Sequence, residues 1–292
     1  MMSLQTTYNP ALPTCILMDS GVGGLSVLNT LLAFNIPLNY HYVADTAFMP
    51  YGSKPVDLLR SHLVDLFSQF QARWGENTFI ALCCNTASVV MVHLPWVPWE
   101  EQPKPNFPLL DIITPTVESI AQVQTTKKPL TLGVLATELT IQSGVYQQLL
   151  QQNKVDFANF YGIPCPQLAA SIEGQPNVPS TETLLTQFLA PLQQTESPLD
   201  AVILGCTHYQ FVAESIQKKL PSVPLISQSA VMAEKIASAF NLPFAKELPV
   251  EPMQSGSVTV WTTGSPEAFQ PLIPQFLPLL PTTIVQPFYS GS

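Results

Sequence analysis

The chain has 292 residues, 46% of them apolar and only 11% charged, with a formal net charge of −9. That length and apolar content support a sizeable core, in one large domain or two of ordinary size. The acidic balance argues against a nucleic-acid partner, and the five cysteines, an odd number without zinc-finger spacing, argue against a disulfide scaffold or a metal site. The first Lys or Arg is Lys54, so no signal peptide is expected. The longest apolar run, 79–94, is interrupted by Asn85, Thr86, Ser88 and His93, so no membrane span is expected either. A reduced, cytoplasmic setting follows as the default, and free thiols persist there.

Residues 1–13 hold two prolines and read as a loose tail. Cys15-Ile16-Leu17-Met18 reads as a strand, Asp19-Ser20-Gly21-Val22-Gly23-Gly24 as a glycine-rich turn, and 25–34 as a helix. Tyr40 to Ala44 is a second strand ending at Asp45, followed by a loop with Pro50-Tyr51-Gly52. Val56, Leu59, Leu63, Phe67 and Phe70 recur at helical spacing across 56–74. The strand 79–82 then runs into Cys83-Cys84-Asn85-Thr86-Ala87-Ser88 and a helix to about 94. A Trp- and Pro-rich connection over 95–106 precedes a strand at 108–113.

A second unit begins at about 114–121. Its first strand, Leu130 to Ala136, ends in Thr137, with Thr140 beyond. A helix over 141–152, a strand over 155–160, a loop over 165–179 carrying Glu173, and a helix over 180–194 follow. The apolar run Asp200 to Leu204 reads as a buried strand, and Gly205 permits a sharp turn. Cys206, Thr207 and His208 come directly after it. Pro224-Leu225-Ile226, a helix over 230–240 and a strand over 257–264 complete the series.

Strands alternating with helices predict a parallel, doubly wound sheet. The halves also match one another. Asp19 and Cys84 in the first are spaced much as Thr137 and Cys206 are in the second, and a Pro-Leu-Leu or Pro-Leu-Ile strand follows each cysteine. The fold class is therefore α/β, with two pseudo-symmetric doubly wound parallel-sheet domains and the active site in the cleft between them. The first domain takes 14–113 plus 224–292, and the second takes 114–223.

Ligands of open α/β sheets sit at the carboxyl ends of strands. Two thiols facing each other across a carbon there suit proton transfer on both faces of one stereocentre. One thiolate removes a proton, the other group donates one as a thiol, and the centre inverts. A cysteine base needs helpers. Asp19 is the candidate for one side, and His208 and Glu173 for the other. Ser20, Asn85, Thr86 and Thr207 could hold carboxylates with hydroxyls and with N–H groups at helix starts.

These residues carry a resemblance. Asp-Ser-Gly-Val-Gly-Gly at 19–24, Pro-Tyr-Gly at 50–52, Cys-Asn-Thr-Ala-Ser at 84–88 and Gly-Cys-Thr-His-Tyr at 205–209 resemble the signatures of the glutamate racemases. Weaker matches at 135–140, at Cys165-Pro166 with Glu173, and at 262–264 keep the same order over roughly 15–265. The resemblance implies cofactor-independent racemisation of glutamate, supplying D-glutamate for bacterial peptidoglycan. It implies Cys84 as the acid/base residue for D-glutamate, assisted by Asp19, and Cys206 as that for L-glutamate, assisted by Glu173 and His208. Asp19, Ser20, Tyr51, Gly52, Asn85, Thr86, Thr137, Thr207 and His208 would contact the substrate. Family members are often dimeric, which leaves a homodimer open. Three departures stand out: Gln210 in place of a proline, the extra thiol Cys83, and Ser227-Gln228-Ser229 without the aspartate often found there.

Other readings compete. Gly21, Gly23 and Gly24 followed by Asp45 resemble a dinucleotide site, but Ser26 stands where the third fingerprint glycine belongs. A relative acting on aspartate or a hydantoin, a non-catalytic binding module, and a racemase with a second role such as binding a topoisomerase are the alternatives. Cys15, Cys83 and Cys165 read as packing residues. His41, His62 and His93 read as surface or helix residues, and Asp45 and Lys54 as pairing or capping groups.

Overall fold

The computed structural model describes residues 9–75, 79–95, 108–123, 128–245 and 256–289. The strand β1 (Thr14–Asp19) is buried along almost its whole length. Its side chains alternate between two cores, Cys15 and Leu17 into one and Ile16 and Met18 into the other, as a strand covered on both faces requires. The elements of the first unit follow in order: α1 (Leu25–Ala33), β2 (Asn39–Ala44), α2 (Val56–Trp74), β3 (Phe79–Leu82), α3 (Asn85–Ser88), β4 (Leu109–Asp111) and α4 (Ile113–Val123). α2 buries Leu59, Leu63, Phe67 and Phe70, the face that its apolar spacing predicts. It stops at Gly75, whose φ of 93° a side chain would resist.

The second unit holds β5 (Leu130–Ala136), α5 (Glu138–Gln142), α6 (Val145–Gln152), β6 (Phe157–Pro164), α7 (Leu168–Ile172), α8 (Thr181–Gln193), β7 (Ala201–Gly205), α9 (Ala213–Lys219) and β8 (Leu225–Ile226). The chain then runs through α10 (Gln228–Ala239) to β9 (Val258–Thr262) and β10 (Val285–Pro287).

Two sheets result, ordered β10-β9-β2-β1-β3-β4 and β6-β5-β7-β8, with every pairing parallel. The order β2-β1-β3-β4 in the first is repeated by β6-β5-β7-β8 in the second. The internal duplication expected from the spacing of the two cysteines is therefore written in the strand order. Met18 of β1 pairs with Leu82 of β3, so Asp19 and the Cys83-Cys84 turn emerge at the same sheet edge. In the same way Ala136 of β5 pairs with Gly205 of β7, which brings Thr137 and Cys206 out together. One core cluster runs from Cys15 and Leu28 on the first sheet's side to Leu132, Leu189 and Ile203 on the second's.

Several expectations need correction. Leu225 and Ile226 pair with Val202 and Ile203, so the strand that matches the one after Cys84 completes the second sheet, and a first domain resuming at 224 begins one strand too early. The chain returns with α10, which packs on α1 and α4. Residues 9–13 are tied down rather than loose: Asn39 donates to the carbonyls of Asn9 and Leu12 and accepts from the Asn9 N–H. Residues 1–8 of that tail, and most of the 95–106 connection, lie outside the described residues. The helix expected over 141–152 is broken at Gly144 (φ 66°), and the loop over 165–179 contains α7.

Candidate active site

Asp19, Ser20, Tyr51, Gly52, Cys84, Asn85, Thr86, Thr137, Glu173, Cys206, Thr207 and His208 all line one cavity of about 100 Å³. Every site residue singled out in the sequence is therefore brought together. The first sheet supplies Asp19 and Ser20 from the turn after β1, and Cys84, Asn85 and Thr86 from the turn after β3. The second supplies Thr137 after β5, Glu173 at the end of α7, and Cys206, Thr207 and His208 after β7. The volume is of the order that admits a single small molecule, not a dinucleotide.

The walls touch through specific hydrogen bonds. The Thr207 hydroxyl donates to Asp19 Oδ2 at 3.1 Å from the opposite wall, and within the first wall the Gly21 N–H donates to Asp19 Oδ1 at 3.0 Å. Thr86 and Thr137 share a hydrogen bond of 3.0 Å across the cleft. The glycines of the first turn exist for this approach. A Cβ on Gly23 would lie 2.4 Å from Thr207 Oγ1 and 2.5 Å from His208 Nδ1, and one on Gly21 would lie 2.7 Å from Glu173 Oε1. What resembled a phosphate-binding turn is thus a surface stripped of side chains so that the opposite wall can close on it. Gly205 has a similar reason rather than a sharp turn: its Cβ would come within 2.9 Å of the Leu135 carbonyl on the neighbouring strand.

The two thiols have different surroundings. Cys84 is 7% exposed and its Sγ sits 4.0 Å from Ser20 Oγ. Burial, and then the nearby Asp19 carboxylate, push its thiol far above the ordinary range, against the pull of the Ala87 N–H. Burial also pushes the Asp19 carboxyl up, although His208, the Gly21 N–H and the Thr207 hydroxyl oppose it. A carboxyl raised in this way can accept and release a proton nearer neutral pH. On the other wall, Cys206 Sγ lies 3.7 Å from His208 Nδ1, and His208 Nε2 lies 2.8 Å from Glu173 Oε1. Burial disfavours the His208 imidazolium, but its hydrogen bonds to Cys206 and Glu173 outweigh that and raise its pKa well above the usual value. Burial works to raise Glu173, yet hydrogen bonding and charge from His208 hold it below the usual carboxylate range. Gln175 donates to the second Glu173 oxygen at 3.1 Å. A chain of polar groups thus runs from the Cys206 sulfur to an exposed amide.

Further residues stand behind those that line the cavity. Asp45 is fully buried and accepts from the Tyr51 hydroxyl, from Thr263 Oγ1 at 2.6 Å and from His62 Nε2 at 2.6 Å, which anchors the Pro50-Tyr51-Gly52 loop. This is the pairing role that the sequence suggested for it. Gln228 and Tyr146 engage the Asn85 amide from α10 and α6, and no spacing pattern marks either. Of the residues expected to pack, Cys15 and Cys83 are fully buried and Cys165 is 3% exposed. Burial pushes the Cys165 thiol up to about 12. His41 is not a surface residue but stacks on Trp74 inside the β2 face.

Comparison with known proteins gives consistent results. Residues 39–236 match the Asp/Glu/Hydantoin racemase family model. A protein of Carboxydothermus hydrogenoformans named glutamate racemase is 33% identical over 258 residues, 88% of this chain and 89% of its own. One of Pseudomonas putida with the same name is 32% identical over 265 residues, 88% of this chain and 91% of its own. Among solved structures, a glutamate racemase isoform of Bacillus anthracis superposes with a TM-score of 0.76 at 24% identity, over 96% of this chain and 98% of that one, which speaks to the fold. The Thermus thermophilus glutamate racemase in complex with beta-chloro-D-alanine gives 0.67 at 26% identity, over 96% and 97%.

Proposed function

This chain belongs to the Asp/Glu/Hydantoin racemase family, and from that premise we propose that it interconverts L- and D-glutamate by proton transfer between two facing thiols, Cys84 and Cys206. The observation that carries the mechanism is the meeting of two strand-end cysteines in one small cavity. One has a carboxyl of raised pKa beside it, and the other an imidazole–carboxylate pair. Relatives named glutamate racemase, aligned over most of the chain, support glutamate as the substrate. The product serves peptidoglycan synthesis, the family's role.

In the L-to-D direction the Cys206 thiolate takes the Cα proton and becomes a thiol. The electron pair of the broken C–H bond stays on carbon. Cys84, kept protonated by its burial and by Asp19, gives its S–H proton to the opposite face and becomes a thiolate. The two sulfurs have then exchanged states, and the reverse reaction restores them. The His208 imidazolium faces the charge on Cys206, and Glu173 holds that imidazolium in place. Ser20, Tyr51, Gly52, Asn85, Thr86, Thr137 and Thr207 line the space left for the substrate's carboxylates and amino group. A reducing cytoplasm suits this chemistry, because both thiols must stay free. No helix among the described residues is long and apolar enough to cross a membrane.

The test is incubation with L-glutamate in deuterated water with no cofactor added, following optical rotation and loss of the Cα proton together. Inversion with deuterium uptake supports the proposal. Neither change would overturn it, and aspartate would be the next substrate to try.

A further inference from the structure

The side chain of Asn85, next to Cys84, is held in a closed ring of hydrogen bonds. Its Nδ2 donates to Gln228 Oε1 at 2.8 Å, Gln228 Nε2 donates to the Tyr146 hydroxyl at 2.9 Å, and that hydroxyl donates back to Asn85 Oδ1 at 2.8 Å. The second Gln228 Nε2 hydrogen goes to Thr116 Oγ1 at 3.2 Å. All four residues are 3% exposed or less. The donors and acceptors run in one direction round the ring, so neither amide can be turned over without placing like groups against each other. The ring also joins α3 of the first sheet to α6 of the second unit, through α10 and α4.

Building on the glutamate reading, we infer that Gln228 is a positioning residue for substrate binding. The ring uses one Nδ2 hydrogen of Asn85 and its Oδ1, so the side chain has a single donor left, and Asn85 lines the cavity. Gln228 and Tyr146 fix the amide so that this donor faces a substrate carboxylate. A freely rotating Asn85 would present its carbonyl oxygen to that carboxylate half the time, and two acceptors repel. The stretch where the sequence departs from the family pattern thus supplies a neutral amide with both a donor and an acceptor, which an aspartate could not.

Where that carboxylate is the substrate's distal one, its charge does not change as the Cα–H bond breaks, so loss of its donor acts on KM rather than kcat. Gln228→Met keeps the length and removes the hydrogen bonds, and Tyr146→Phe removes a single oxygen. Each is expected to raise KM for L-glutamate about tenfold with kcat within about threefold of the parent, the range for a hydrogen bond to a charged group. The double variant should add less than about twofold further, because either change alone opens the ring. KM within about twofold of the parent in both single variants overturns the inference. So does a fall in kcat and melting temperature at unchanged KM, which would mark a structural role. If Gln228→Met does not fold, Tyr146→Phe decides. A parent protein inactive on glutamate would overturn the functional reading itself, whereas an active parent with unaffected variants would overturn only this inference.

Discussion

At the scale of single residues, the two thiols divide the chemistry through what stands beside them. Cys84 has a carboxyl neighbour and Cys206 has an imidazole. Either cysteine changed to alanine is expected to lower racemisation of both enantiomers by a factor of about 10³ or more, since each direction needs one sulfur as base and the other as acid. Chiral chromatography of the reaction measures this, and a Cys206→Ala enzyme of full activity would rule out the two-thiol route. The pair of His208 and Glu173 makes a pH prediction. Glu173 raises the His208 pKa, so Glu173→Gln should move the alkaline fall of activity on L-glutamate to lower pH. The same pair stabilises the fold in a bounded window. Its contribution is full between the unfolded values of about 4.3 and 6.5. It is lost on the acid side as pH falls through the lowered Glu173 value, and on the alkaline side as pH rises through the raised His208 value. Thermal melts of parent and Glu173→Gln across pH would show the difference vanish at both ends. The residues that meet the reacting centre could be read from the sequence because strand ends and short motifs mark them. Tyr146 and Gln228 could not, because they act on another side chain from helices whose spacing gives no sign of it.

At the scale of elements, the glycine turn between β1 and α1 is shaped by the turn after β7. Gly23→Ala would drive a methyl group into Thr207 and His208, at a cost of about 1–3 kcal/mol for overpacking. We expect a lower melting temperature together with lost activity, because the displaced side chains are those that approach Asp19 and Cys206. Calorimetry and turnover on the same sample check both, and an alanine variant with parental values of each would refute the account. The long periodic helix α2 and the buried strands β1, β3 and β7 were legible because burial writes a period into the sequence. α7, with five residues, is too short to show one, and β10, with three residues and a proline, is too short and too polar.

At the scale of the whole molecule, the repeat of strand order in the two sheets places two carboxyl ends against one small cavity, and hydrogen bonds from Thr207 and Thr86 tie its walls together. A ligand that fits between both walls binds the folded state alone. Glutamate at about 100 times its Kd should therefore stabilise the protein by about 2.7 kcal/mol, readable as a rise in melting temperature. That two units existed was legible from their matching cysteines. The point at which the chain returns to the first unit was not, because nothing between Ile226 and α10 names the sheet being left. The anchoring of the first described residues by Asn39 has a practical result. That one side chain also accepts from the N–H and hydroxyl of Ser257, at the entry to β9, so it ties the first described residues to the strand by which the chain re-enters the first sheet. A chain beginning at Thr14, which lacks the two carbonyls that hold the Asn39 amide, should melt at a lower temperature than the parent, as calorimetry would show.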